Sequence, residues 1–304
     1  MNKLSVSQLK ELYIDGDHKE LTIKLPHNRR KGHFITNLLN SNILTMGSKI
    51  LGPPLTFGAD PEFILEDDNG GVLLFSNEHV TSNFGMSEAE VGADYGLLEF
   101  RVPPVDNPLS IIKSIKTLYK KFNDTVKGAS IKNTEAIVYN HRLNRIRKGI
   151  ESGIEYDYGG TGKDQGVWNN INNECDPIIG LESTQTFSAY DFPRFPKYRE
   201  DILTAGGHIH IGGTFIQLLS FEQLRLFVRI LDEKILPICI GCETSAGELR
   251  REAYGFPGEF RIKNYGIEYR SPSNAIFQKH NLGKLKKVYK IIEKIARNFL
   301  VTLD

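Results

Sequence analysis

Residues Thr204–Gly213 read TAGGHIHIGG, two histidines spaced by one residue between two pairs of glycines. In an extended strand alternate side chains share a face, so His208 and His210 project together while Ile209 and Ile211 point into a core. The glycines leave the neighbouring backbone bare, where a ligand can approach closely.

Three other stretches repeat the pattern. Gly58–Phe63 (GADPEF) sets Asp60 and Glu62 two apart. Leu97–Arg101 (LLEFR) does so with Glu99 and Arg101, leaving Leu98 and Phe100 opposite. Gly266–Arg270 (GIEYR) does so with Glu268 and Arg270, leaving Ile267 and Tyr269 opposite. Any one of these alone is an ordinary half-exposed strand with a polar outer face. Four of them, carrying carboxylates, imidazoles and arginines but few lysines, predict one sheet with a shared ionisable face.

The rest of the chain supplies a frame for that sheet. Asp106–Phe122 (DNPLSIIKSIKTLYKKF) has the apolar spacing of an amphipathic helix, with Ile111, Ile112, Ile115, Leu118, Tyr119 and Phe122 on one side and Pro108 in the first turn. Ser220 and Gln223 form a capping-box pattern before a second helix, which Pro237 interrupts. Lys284–Val301 closes the chain as a third helix whose lysines form a solvated face. Leu55–Phe75 reads as two strands around an Asn-Gly-Gly turn, and Val91–Pro104 as one strand closed by Pro103 and Pro104. The expected class is α+β with a mainly antiparallel sheet. Residues 1–50 read as an N-terminal extension with a hairpin in Glu11–Pro26, where His27–His33 is a solvated basic loop. Residues 51–304 read as one larger domain that carries the four charged strands and contains a long glycine- and asparagine-rich loop from Gly149 to Phe195.

Composition removes several function classes. The chain has 304 residues, a net charge of +1 and 25% charged side chains, so nothing marks a nucleic-acid or membrane-surface binder. It has no long uncharged apolar run, and Met1–Lys10 lacks the core of a signal peptide. Three cysteines, Cys175, Cys239 and Cys242, suit a reducing compartment, and the expectation is cytoplasmic. Cys239–Cys242 (CIGC) stands alone as a C-x-x-C and reads as a pair of core thiols.

A face of carboxylates, two histidines and arginines suits Mg²⁺ or Mn²⁺ with phosphate, the chemistry of metal-assisted phosphoryl transfer from a nucleotide. The usual nucleotide loops are missing. Tyr158–Asp164 (YGGTGKD) puts Asp164 where a P-loop needs Ser or Thr, and no G-x-G-x-x-G occurs.

Taken in order, GADPEF, DYGLLEFRVPP, GGHIHIGG and Arg250–Asn274 (RREAYGFPGEFRIKNYGIEYRSPSN) resemble the carboxylate–amine ligase superfamily with the glutamine synthetase fold, and within it the amidoligase branch of bacteriophages and bacteria. The resemblance runs from Phe57 to Asn274. It implies a curved, mainly antiparallel sheet of glutamine synthetase catalytic type with flanking helices. It also implies an ATP- and Mg²⁺- (or Mn²⁺-) dependent ligase that makes an amide through an acyl phosphate. By the resemblance, Asp60, Glu62, Glu99, His208 and Glu268 are metal ligands, with Asp94 assisting Glu99; Asp60 stands where the family usually has glutamate. Glu62, Glu99 and Arg270 are the catalytic set. His210, Arg261, Lys263 and Arg251 contact the nucleotide. The partners are a carboxylate (amino acid, peptide or protein) and an amine, with no nucleic acid or membrane; a homo-oligomer is compatible, and the compartment is the host cytoplasm if the chain is phage-encoded. Three alternatives stay open: a ligase-fold binding or structural protein without turnover, a metal-dependent amidohydrolase, which also uses His-x-His on a strand, and a guanidino kinase of the same fold.

Overall fold

The computed structural model describes residues 55–74, 84–94, 96–138, 185–191 and 202–299. The N-terminal extension, His27–His33, Tyr158–Asp164, Cys175 and most of the Gly149–Phe195 loop lie outside the described residues.

The described strands are β1 (Thr56–Phe63), β2 (Leu65–Asp67), β3 (Val72–Leu73), β4 (Val91–Asp94), β5 (Leu97–Phe100), β6 (Val102–Val105), β7 (Ala129–Ile131), β8 (Ala136–Val138), β9 (Thr186–Ser188), β10 (Ile202–Thr204), β11 (Gly207–Gly212), β12 (Glu259–Lys263) and β13 (Gly266–Tyr269). The helices are α1 (Pro108–Thr125), α2 (Thr214–Gln217), α3 (Phe221–Lys234), α4 (Leu236–Ile240), α5 (Ala246–Ala253) and α6 (Leu282–Phe299). The main sheet runs β4-β5-β1-β11-β13-β12-β9, with β6 also paired to β1. Its pairs are antiparallel. The protein is α+β, as the alternation of residues predicts. Among the described residues no helix is long and apolar enough to cross a membrane.

The four stretches with charged alternation are β5, β1, β11 and β13, and they are consecutive neighbours in the sheet. Their other face is the core. Phe57, Ala59, Phe63, Leu98, Phe100, Ile209, Ile211, Ile267 and Tyr269 are all buried there. Each such aromatic or branched side chain contributes roughly 1.5–3 kcal/mol by leaving water. Helices α1, α3 and α6 cover that face. Tyr119 of α1 meets Phe63 and Phe100 edge-on, and Phe227 of α3 packs on Phe299 of α6. Tyr289 of α6 meets Phe57 and donates its hydroxyl to the Gly58 carbonyl at 2.9 Å. The helix starts follow the sequence signals. Asn107 caps α1 by accepting from Leu109 and Ser110 N–H, with Pro108 in the first turn, and the Ser220–Gln223 capping box opens α3. Pro237 sits in the first turn of α4, just past the end of α3 at Lys234.

Four expectations are corrected. The Leu55–Phe75 run is not a simple hairpin: it breaks at Ile64, so that β1 joins the main sheet while β2 and β3 form a small sheet with β7. The turn between β2 and β3 is as expected, held by Asp67 accepting from Asn69 and Gly71 N–H. Val91–Pro104 is not one strand but a β4–β5 hairpin reversing at Gly96 (φ 84°), followed by β6. Pro103 and Pro104 lie within β6, which among the described residues pairs only with β1; prolines are tolerated where no second neighbour needs their N–H. The Gly149–Phe195 stretch is not all loop, since Thr186–Ser188 forms β9 and pairs with β12 at the edge of the sheet. Finally, Cys239 is a buried core thiol but Cys242 is only half-buried.

Candidate active site

The strand registers assemble the ionisable face. Asp60 lies opposite His208, His210 opposite Glu268, Glu62 opposite Glu99, and Arg261 opposite Glu268. Side chains from five neighbouring strands therefore converge, although their positions in the chain span residues 60 to 270.

Asp60 is the centre. Its Oδ1 is 3.1 Å from His208 Nδ1 and 3.0 Å from His210 Nε2. That oxygen is nevertheless buried without an aligned hydrogen bond, as is His210 Nε2. Burial opposes the Asp60 charge, but the two imidazoles outweigh it and hold its carboxyl far below the usual carboxylate range. Glu268, 2% exposed, sits 3.5 Å from His208 Nδ1 and 3.4 Å from Lys263 Nζ, and pairs with Arg270. Burial raises its carboxyl, and Arg270 and His208 more than reverse that, bringing it down to about 2. Ligand atoms of Asp60, His208 and Glu268 lie within 4.8 Å of one another, close enough to share one cation.

Glu62 and Glu99 extend the group. Glu62 Oε2 accepts from Gly206 N–H at 2.5 Å, and Oε1 is 3.9 Å from His208 Nε2. Burial, then the nearby Asp94 charge, push the Glu62 carboxyl well above its ordinary range. Burial and Asp60 push Glu99 up to about 7, although Arg101 donates to it at 2.8 Å. These carboxylates repel one another, and a cation between them would relieve that repulsion. Burial and the Arg270 charge keep the His208 imidazole below its ordinary range; burial also works against the charged His210, but Asp60 overrides it and lifts that group.

The expected cationic residues divide. Lys263 reaches Glu268, and Arg261 lies across from it while donating to Thr186 Oγ1 at 3.3 Å. Arg270 is 6% exposed, paired with Glu268 and 5.0 Å from the centroid of the Tyr254 ring. Arg251 pairs with the buried carboxylate of Glu243. Its neighbour Arg250, fully buried, underlies the site instead, donating to the carbonyls of Ala205, Ser271 and Pro272 at 3.1, 3.2 and 2.9 Å. Sequence reasoning missed Arg250, Tyr254 and Tyr265. Tyr254 Oη contacts His208 Nε2, and Tyr265 Oη is 2.7 Å from His210 Nδ1. No periodicity marks them: Tyr254 follows the end of α5, and Tyr265 sits in the β12–β13 turn.

Residues 198–299 match the family described as phage phiEco32-like COOH.NH2 ligase-type 2. The match supports the carboxylate–amine amidoligase branch, and with it an amide-forming ligase. The matched stretch contains His208, His210, Arg261, Lys263, Glu268 and Arg270, while Asp60, Glu62 and Glu99 come from strands before it. No curated protein gives a significant match.

Proposed function

We propose that the protein is an ATP- and Mg²⁺- (or Mn²⁺-) dependent ligase that joins a carboxylate to an amine through an acyl phosphate, on a sheet of the glutamine synthetase type. One observation carries the reading: Asp60 Oδ1 is a buried, unbonded carboxylate oxygen beside His208 and Glu268. An oxygen-rich donor set with carboxylates in excess fits a hard divalent cation. Asp60, His208 and Glu268 would hold it, with Glu62 and Glu99 serving a second ion or its waters. Such an ion, when bound, neutralises charge on transferring phosphate.

The side chains do the rest. Arg261 and Lys263 stand beside Glu268 on the strand next to it and orient the phosphates. His210 borders the nucleotide. Arg270 holds Glu268 in place and turns its charge toward the reacting oxygens. The substrate carboxylate oxygen attacks the γ-phosphorus and ADP leaves; the amine nitrogen then attacks the acyl carbon, phosphate leaves, and the amine proton passes to a base. Positioning and fixed charge supply most of the rate. The carboxylate is that of an amino acid, peptide or protein.

Hydroxylamine tests the intermediate, because it traps acyl phosphates as hydroxamates. With ATP, Mg²⁺ and a carboxylate that stimulates turnover, hydroxamate and ADP form in equal amounts. ADP without hydroxamate on such a carboxylate overturns the mechanism. Stoichiometric zinc in protein purified without added metal points to a hydrolase instead.

A further inference from the structure

Arg250 is fully buried, yet every hydrogen bond it makes among the described residues ends on a main-chain carbonyl. Nε donates to Ala205 at 3.1 Å and Nη1 to Ser271 at 3.2 Å. Nη2 donates to Pro272 at 2.9 Å and to Arg270 at 3.4 Å. The charge is thus shared between two chain segments instead of being matched by one carboxylate. A buried cation is tolerated only when its donors are used, and here each guanidinium nitrogen has an acceptor. The Tyr254 ring, its centroid 4.7 Å from the guanidinium carbon, completes the shell.

The Ala205 end of this set leads straight into the site. The Ala205 carbonyl and the Gly206 N–H belong to one peptide unit, which is planar, so its oxygen and its N–H point in opposite directions. Arg250 Nε holds the oxygen, and the N–H donates to Glu62 Oε2 at 2.5 Å. One rigid unit therefore lies between a guanidinium and a carboxylate, and hydrogen bonds in such a chain polarise one another. The next peptide is fixed from the same source. Gly207 N–H donates at 3.1 Å to the Pro272 carbonyl, which also accepts from Arg250 Nη2. Gly206 has no room for a side chain, since a Cβ there would stand 2.5 Å from His208 Nε2 and 3.0 Å from Glu62 Oε2.

We infer that Arg250 is a positioning residue. By holding the Ala205–Gly206 peptide it turns the Gly206 N–H onto Glu62 and fixes that side chain. By binding the carbonyls of Arg270, Ser271 and Pro272 it sets the end of β13, from which the Arg270 side chain enters the site. Its own bonds reach none of His210, Arg261 and Lys263. Lysine cannot take its place, because one nitrogen lacks the planar fork that spans both segments. The consequence for turnover rests on the proposed function, whereas the orientation of Glu62 does not.

The test uses the full chain labelled with ¹³C at the alanine carbonyl and ¹⁵N in glycine. Glycine follows alanine only at Ala205–Gly206 and Ala246–Gly247, so nuclear magnetic resonance can select these two amides, and Ala246→Ser removes the second. The short bond to a carboxylate should place the Gly206 proton far downfield in the wild type. Arg250→Lys should return it toward the ordinary amide range. The same change should lower kcat for ADP release roughly 10–100-fold with the KM for ATP unchanged, the usual cost of losing a group that orients a site side chain. Both are read on the folded fraction. A merely structural arginine would lower the melting temperature and leave the Gly206 signal and kcat per folded molecule as they are, and that result overturns the inference. So does an ordinary Gly206 position in the wild type, a measurement that needs no variant to fold. Wild-type protein that releases no ADP with any carboxylate overturns the proposed function, and the Gly206 signal then still decides whether Arg250 sets Glu62.

Discussion

Glu268→Gln removes one charge from the centre of the site and keeps the shape. Glu268 is 2% exposed and faces Arg270, Lys263 and His208. Its carboxyl is lowered from 4.5 to about 2, which at about 1.4 kcal/mol per pH unit favours the charged form by about 3 kcal/mol. The amide loses that stabilisation. Arg270 is not wholly orphaned, because Glu62 and Glu259 also favour its charge, so the loss stays near the lower end of the roughly 3–5 kcal/mol for breaking a buried pair. The sign fixes the pH window. A depressed carboxyl stabilises the fold above the unfolded value of 4.5, and that stabilisation fades as pH falls toward about 2. Urea unfolding in EDTA should therefore separate wild type from variant by about 3 kcal/mol at pH 7, with the gap closing below pH 4.5 as the wild type also takes up a proton. In Mg²⁺ the folded variant should release no ADP. Equal stability at pH 7 together with near-normal ADP release would refute the placement of Glu268 against Arg270 and in the site.

Arg270→Lys should lower both stability and turnover, because lysine keeps the charge but loses the planar fork that serves Glu268 and faces Tyr254; unchanged melting and kinetics would make the arginine a distant charge. Glu99, pushed up to about 7 by burial and Asp60, gives up a proton when a cation binds, so Mn²⁺ affinity should rise between pH 6 and pH 8 with proton release seen by calorimetry in buffers of different ionisation enthalpy. A flat affinity over that range removes Glu99 from the ligand set. Without metal the sign is opposite: the raised Glu99 favours the fold below 4.5 and loses that contribution as pH rises through about 7. Gly207→Ala should fail to accumulate as folded protein, since a Cβ there would overlap the Ser273 carbonyl, a backbone atom that cannot swing away; a soluble variant with a wild-type melting curve would contradict the close approach of β11 to that segment.

The face of the sheet was legible because a period of two is local. His208, His210, Glu268, Arg270, Asp60 and Glu62 declare their side of a strand from their neighbours alone, and Ile209, Ile211, Ile267 and Tyr269 declare the core. That β5, β1, β11 and β13 are adjacent was not local information; it came only from treating four similar faces as one. Arg250 and Arg251 show the limit. They are consecutive on α5, and only the rotation of that helix against β8 and β10 decides that Arg250 enters the interior while Arg251 pairs with Glu243. Tyr254 and Tyr265 lie outside any periodic pattern, and two hydroxyls reaching two imidazoles is a fact of tertiary packing. The β4–β5 hairpin was hidden because Leu97–Phe100 continues the apolar character of Val91–Ala93, and the one sign of reversal was Gly96.

Asp60 and His208 face each other across one strand boundary, yet β1 and β11 are among the most widely separated partners in the chain. Bringing them together closes a loop of about 150 residues, at an entropic cost on the order of 4 kcal/mol beyond the constant for any loop. The contacts that repay this cost arrive only once the middle of the sheet has zipped. Such a topology folds slowly, and the residues of the proposed cation site do not come together as a set until the rate-limiting pairing is over. A bound ion would then leave the folding rate nearly untouched and act almost wholly by slowing unfolding. Metal would prolong the life of the native chain without helping it to form.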